Sequence, residues 1–486
     1  MKVLLTGSTG YIGRRLKHKL LEDKDIELKL FVRNKNSLSS EVLRDIEVIE
    51  GDTFDKDKLR LALKDVDIAY YMIHSLNNKN YKDLDKISAQ NFIEIAEECG
   101  VKRVIYLGGL GVKNDLTSEH LLSRIETGEV LSSSSLVQTI WIRAGVIIGS
   151  GSTSFEIIRN LTEKLPIMTT PKWVYTKAQP IAVENVLDYL YDSIRLEIKE
   201  NVIVDIGSEE LSYRDMMIKT GKVLGLKRIL IPVPFLTISL SSHWLNLFTP
   251  VPFIVAKALI EGLKSEVTIQ NNNAKKLFPN IKPITFEQSV NTAIDEIKNN
   301  QVVSRWSDNW GVNWDKDHGL EISDAIFVDR KVLNIEDIKD EEIYKSFSSI
   351  GGRNGWFAFD FLWEIRGFID KVIGGVGLQR GRRVENELRV GDSLDFWKVE
   401  DIKENERVLL LAQMKIPGTG WLEFRIENNT LIQSAYFYPK GLLGRLYWYS
   451  LIPLHYFVFN NMIKSIVKRA KEYSLYKEET NDKGVT

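Results

Sequence analysis

Hydrophobic positions in the first third of the chain alternate between two periods. Residues 3–5, 28–32, 48–49, 68–73 and 104–107 are short apolar runs of the kind that fill a buried strand. Between them Ile12, Leu16 and Leu20 recur every four residues, and residues 57–63 and 82–98 carry the same helical spacing. Strand, helix, strand, helix predicts a Rossmann-type doubly wound α/β domain, because parallel strands need a helix-length crossover that covers the sheet on both faces. A Ser-rich break at 132–135 precedes another buried strand at 139–148. A strand at 203–206 and a helix at 213–224 continue the domain, with a small substrate lobe, to about residue 300.

The pattern then changes. Residues 301–321 hold Trp306, Trp310 and Trp314 among Asn, Asp and Gly without a period, and read as a connector. From 322 to 476, runs at 326–332, 393–399, 408–413, 421–426 and 431–438 alternate as antiparallel strands do, with a helix at 341–347 and a long closing helix at 447–473. This predicts a second, α+β domain. The charged tail 477–486 reads as disordered.

Composition narrows the function. The 486 residues carry 65 Lys+Arg against 66 Asp+Glu, so no global field draws nucleic acid, and none is expected as a partner. A single cysteine, Cys99, excludes an internal disulfide and suits a reducing cytoplasm. Two stretches are unusually apolar, 229–260 and 442–467, but prolines and polar residues cut both short of the ~20 residues a bilayer span needs. The expectation is a cytoplasmic protein with peripheral contact at the inner membrane face as the only membrane association. The six histidines are scattered and no metal site is expected.

The strongest chemical signal is Thr6-Gly7-Ser8-Thr9-Gly10-Tyr11-Ile12-Gly13, which follows a strand and opens a helix. Small residues there let the backbone approach a pyrophosphate lying against the helix N-terminus, so Gly7, Thr9, Gly10, Tyr11, Ile12 and Gly13 are candidate cofactor contacts. The second strand ends in Arg33 rather than in a carboxylate that would bind the ribose hydroxyls of NAD. A guanidinium pairs well with a 2′-phosphate, which favours NADP over NAD. Asp52 after the third strand is placed for the adenine edge, although Gly-Asp is also ordinary turn chemistry.

Residues 1 to about 300 resemble the short-chain dehydrogenase/reductase superfamily, in its atypical, NmrA-like branch that includes the NADPH-binding accessory subunit of respiratory complex I. The likeness rests on the glycine motif, Gly51-Asp52, Tyr70 to Ser75, Tyr106 to Gly109, Arg143 to Gly149 and Gln179 to Glu184. It implies that Met72, Ile73 and His74 line the cofactor. Active relatives use a serine after the fifth strand and a Tyr-x-x-x-Lys helix, and this chain departs from both. Gly108 and Gly109 stand at the serine, His120 at the tyrosine and Arg124 at the lysine. His120 and Arg124 are the candidate catalytic residues of a degenerate site, and the implied activity is an NAD(P)-dependent oxidoreductase or epimerase.

Residues from about 325 to 475 resemble a bacterial domain of unknown function, through Gly351 to Phe357, Gly374 to Gly377, Leu388 to Asp392 and Gly441 to Tyr449. Their arrangement is similar to the helix-grip or START-like fold, for which Trp397, Trp421, Phe424, Tyr436 and Tyr438 are candidate cavity residues and Arg380, Arg382 and Arg383 a candidate anion loop. Three functions follow: a reductase of a small hydrophobic carbonyl compound, a non-catalytic NADP(H) sensor or assembly factor, or a lipid or isoprenoid carrier.

Overall fold

The computed structural model of the chain describes residues 1–33, 35, 38, 44–74, 81–113, 117–233, 261–262, 266–299, 301–304, 325–335, 338–378, 381–384 and 387–482. Most of the apolar stretch 229–260, most of the connector, and Arg380 lie outside them. The chain divides into two units, Met1–Trp310 and Gly311–Thr486.

The first unit is built on strands β1 (Lys2–Thr6), β2 (Glu27–Val32), β3 (Glu47–Glu50), β4 (Ile68–Tyr71), β5 (Arg103–Gly109), β6 (Gln138–Ala144) and β7 (Val202–Ile206). They form one parallel sheet in the order β7-β6-β5-β4-β1-β2-β3. The longer helices of the unit are α1 (Tyr11–Leu21), α2 (Lys56–Leu63), α3 (Tyr81–Glu98), α4 (Glu119–Leu131), α5 (Thr153–Lys164), α6 (Val183–Asp192), α7 (Tyr213–Val223) and α8 (Phe286–Lys298). The sheet is buried on both faces: Val3, Leu5, Leu30 and Ile105 belong to one core, and Leu4, Phe31, Ala69 and Val104 to the other. That is the doubly wound α/β fold predicted from the alternating runs. Its strand order reverses between β1 and β4, and the crevice at their C-terminal ends is where such sheets bind ligands. The predicted single strand at 139–148 breaks after Ala144, and Ile147–Ile148 pairs instead with Ile181–Ala182.

The second unit carries β8 (Phe327–Asn334), β9 (Ser393–Leu394), β10 (Trp397–Lys403), β11 (Arg407–Ala412), β12 (Gly418–Glu427) and β13 (Thr430–Pro439), with helices α9 (Asp340–Ser348), α10 (Asp360–Val372) and α11 (Gly441–Asp482). The sheet is antiparallel throughout, in the order β8-β13-β12-β11-β10-β9. The run at 393–399 is two strands joined at Asp395, whose φ is +52°. Helix α11 lays Phe459, Met462, Ile463 and Ile466 on the sheet's core. It continues to Asp482, into the stretch read as a disordered tail, because no glycine or proline interrupts it there. Among the described residues no helix is long and apolar enough to cross a membrane.

Candidate functional site

The crevice is pinned by Thr6, whose hydroxyl donates to the Tyr70 carbonyl at 2.9 Å and accepts the Met72 N–H at 3.0 Å. This holds the ends of β1 and β4 together. Gly7 follows with φ +64°, and a Cβ there would lie 2.4 Å from the Met72 carbonyl oxygen. The Gly10 N–H closes the turn on Gly7 O at 2.9 Å, and a Cβ on Gly13 would lie 2.1 Å from that same oxygen. Tight packing of turn, helix and strand therefore demands Gly7 and Gly13 before any ligand is considered.

The same turn leaves the start of α1 without a side-chain cap. Its first N–H groups are what a pyrophosphate binds. The Ser8 hydroxyl, fully buried in the loop, has no partner among the described residues. A small-residue cradle, a bare helix start and an orphaned hydroxyl fit a dinucleotide, and Ser8 joins the candidate contacts although the glycine spacing did not single it out. Thr9 contributes its carbonyl to Arg14 Nε at 2.9 Å. Ile12 packs into the core beneath the sheet. The Tyr11 ring lies 5.4 Å from the Arg15 guanidinium, and burial pushes its hydroxyl pKa up. Arg15 in turn reaches Ser150 Oγ at 2.7 Å and Glu296 at 2.9 Å. The Tyr11 and Ile12 side chains are thus committed to the domain's interior, which leaves their backbone for the ligand.

At the other end of the crevice, the Gly51 N–H donates to Val32 O at 2.9 Å, bringing Asp52 beside the end of β2. Arg33 is exposed there. The Asp52 carboxylate accepts the Phe54 N–H at 3.2 Å, the turn role weighed for it above.

After β4 the chain passes Met72 and Ile73 to reach His74. Its Nδ1 lies 2.9 Å from Asp85 Oδ2, and the same oxygen accepts from Ser123 Oγ at 3.0 Å. A carboxylate only accepts, so His74 Nδ1 carries the proton and Nε2 is left as the acceptor. The His74 and His120 rings lie 5.0 Å apart, tilted by 35°. His74 Nε2, His120 Nδ1 and Arg124 Nε are all buried without a hydrogen-bond partner among the described residues. Burial holds both histidines below their usual pKa, His120 strongly so, and Arg124 pushes the same way. Both rings are neutral at pH 7. The family resemblance brought out His120 and Arg124. It missed Asp85, whose place on an amphipathic helix carries no chemical signal until α3 packs beside α4.

The absent serine is built into the packing. A Cβ on Gly108 would lie 2.3 Å from the Trp141 indole nitrogen, and one on Gly109 2.6 Å from Leu121 Cδ1. In the second unit the candidate anion loop is internal wiring instead: Arg383 pairs with Asp392 at 3.2 Å, and Arg382 donates to the Ser348 and Ile350 carbonyls at 2.7 and 3.0 Å.

Residues 7–140 match an NAD(P)H-binding family, and residues 322–462 match a family of proteins of unknown function, DUF2867. The auxiliary protein GraX of Staphylococcus aureus is 32% identical over 148 residues, 28% of this chain, and the match spans about half of GraX, 46%. The UDP-glucose 4-epimerase of Vibrio cholerae is 21% identical over 261 residues, covering 48% of this chain and 78% of that enzyme. Among solved structures, a nucleoside-diphosphate-sugar epimerase from S. aureus superposes with a TM-score of 0.50 at 14% identity, over 60% of this chain and all of its own. Triphenylmethane reductase from Citrobacter sp. superposes with a TM-score of 0.50 at 19% identity, over 61% of this chain and 100% of its own. These two likenesses show the fold. The N-terminal unit is thus built on a Rossmann-type sheet in which residues 7–140 match an NAD(P)H-binding, NmrA-like family, and residues 322–462 of the C-terminal unit match the DUF2867 family.

Proposed function

We propose that the N-terminal unit is an NADP(H)-dependent oxidoreductase acting on a hydrophobic carbonyl compound, with His120 and Arg124 at the reacting oxygen. The observation that carries this is the set of three buried, unpartnered nitrogens, on His74, His120 and Arg124, close to the glycine cradle through the short run from Met72 to His74. Buried polar groups without partners cost free energy and persist where a ligand supplies the partner. When bound, the nicotinamide would supply hydride to the carbonyl carbon. Arg124 would stabilise the negative charge that develops on oxygen, neutral His120 would polarise the carbonyl by a hydrogen bond, and the alkoxide would take its proton from solvent water to leave as the alcohol. His74, fixed in one tautomer by Asp85, positions the His120 ring.

A second reading, a non-catalytic NADP(H)-binding protein, is supported by the packing that closes Gly108 to a serine. Two measurements separate them. NADPH and NADH titrations of the wild type and Arg33→Ala test the cofactor: the variant should lose about tenfold or more in NADPH affinity, the scale of a charge-assisted hydrogen bond, and little in NADH affinity. Equal losses for both would remove the 2′-phosphate contact. NADPH oxidation over a panel of aldehydes, ketones and quinones tests turnover. It should drop at least a hundredfold in Arg124→Ala with NADPH binding retained, whereas tight binding with no turnover on any compound establishes the second reading.

A further inference from the structure

Two helices of the second unit turn apolar side chains outward. Along α10, Phe361, Ile365, Phe368 and Val372 recur at helical spacing and each is more than half exposed, while Gly367, Asp370 and Lys371 are buried. Asp370 fixes this orientation, because its carboxylate accepts the Gly377 N–H at 2.9 Å and the Lys415 N–H at 2.6 Å. Helix α11 has an inward stripe, Trp448, Phe459, Met462 and Ile466, that packs on the sheet. Its first half nevertheless exposes Leu443, Leu446, Ile452 and Phe457. Apolar side chains clustered on one surface mark an interaction site, whereas scattered ones do not.

The two helices are neighbours, since Arg366 on α10 hydrogen-bonds Tyr447 on α11. They also wall a cavity of about 120 Å³, lined by Trp397, Trp421 and Tyr436 of the sequence candidates, while Phe424 is core, stacked on Phe347 at 5.7 Å. In that cavity's wall the Trp397 indole nitrogen and His455 Nδ1 have no partner among the described residues. None of the outward apolar residues named above lines the cavity, so it does not account for them.

Charge decides what these faces meet. From Gly441 to Lys471 the chain holds no Asp or Glu, and its cations there are Arg445, Lys464, Lys468, Arg469 and Lys471. The exposed positions of α11 change along its length, from Leu446, Tyr449 and Tyr456 through Asn461 to Lys464 and Lys468. At 1.5 Å per residue the first of these lysines sits about 10 Å beyond Phe457, the end of the apolar part. Lys415 is exposed at the end of α10, where its Nζ donates to the Ile373 carbonyl at 2.9 Å. The exposed acids of α10 are Asp360, which accepts the Trp356 N–H at 2.7 Å, and Glu364. An apolar stripe that runs into lysines complements an anionic lipid surface. A second copy fits it less well, because a two-fold pairing sets one cationic rim against another.

We propose that α10 and the first half of α11 form a docking face for a bilayer that contains anionic lipid. Among the described residues no helix is long and apolar enough to cross a membrane, so these helices lie in its interface. Phe361, Phe368, Leu446 and Ile452 enter the boundary between headgroups and acyl chains, Tyr449 and Tyr456 keep their hydroxyls at headgroup level, and Lys464 and Lys468 meet the lipid phosphates.

The test is flotation of the full-length protein with protein-free vesicles of phosphatidylcholine, alone or mixed with phosphatidylglycerol. The protein should float with the mixed vesicles, at least tenfold less with the neutral ones, and less as salt is raised. A lysine near an anionic surface is worth about fivefold in affinity, so Lys464→Gln with Lys468→Gln should weaken binding to mixed vesicles at least tenfold. Phe368→Ser with Leu446→Ser should abolish flotation, and because both side chains are exposed the thermal unfolding midpoint should stay near that of the wild type. The proposal is overturned if the wild type floats with neither vesicle, if it floats equally with both, or if either double variant, still folded, floats as the wild type does. Sedimentation tests the other occupant: a concentration-dependent dimer that does not float, and that the serine variant dissociates, makes this face a contact between copies and overturns the proposal.

Discussion

Gly13 shows how much one missing atom decides in the packing of the turn. Its missing side chain lets α1 start against the Gly7 carbonyl, and an added methyl would lie 2.1 Å from that oxygen. Gly13→Ala should cost about 1–3 kcal/mol of stability by overpacking and weaken NADPH binding by shifting the helix start. Urea unfolding and a nucleotide titration check both, and unchanged values in both would mean that the turn has slack the geometry does not show. The glycine spacing was legible because tight turns are a local property of the chain. The meeting of His74, Asp85 and Ser123 was not, since the three lie after β4, on α3 and on α4, and only tertiary packing brings them together.

At the scale of elements, β5 ends in two glycines whose neighbours differ in kind. Gly108 faces the ring of Trp141, 4% exposed and wedged also against Gly128, whereas Gly109 faces the tip of Leu121. A leucine methyl can rotate away and a buried indole cannot. Gly108→Ser should therefore destabilise by about 1–3 kcal/mol and Gly109→Ser by much less. Equal unfolding midpoints for the two variants would contradict this account. Strands and helices of the first unit were readable because both faces of its sheet are buried and each strand is a continuous apolar run. Helix α10 was missed. Phe361, Ile365, Phe368 and Val372 recur at helical spacing, but that face stays exposed while Asp370 and Lys371 are buried, which periodicity alone does not show.

For the whole molecule, three histidines are kept neutral by burial: His74 and His120 in the first unit and His455 in the second. Each binds its proton more weakly folded than unfolded. Their contribution is complete above the unfolded pKa of about 6.5 and is lost as pH falls below it, for His455 down to about 4. Stability should therefore fall from pH 7 to pH 5, with a slope of at most about 1.4 kcal/mol per pH unit for each histidine. His455→Phe should flatten its share of that slope in denaturant unfolding of the full chain. A variant whose pH dependence matches the wild type would show that His455 is solvated in the folded protein.

By itself the sequence determined the two-domain plan, the parallel sheet and the glycine turn, because alternation, periodicity and turn chemistry act over a few residues. Only the tertiary structure decided what the chemistry-bearing side chains meet. It neutralised His120 by burial beside Arg124, gave Arg382 and Arg383 internal partners, and left Trp397 and His455 unpaired in an apolar wall. Those outcomes depend on burial and on distances between residues far apart in the chain, which no local pattern encodes.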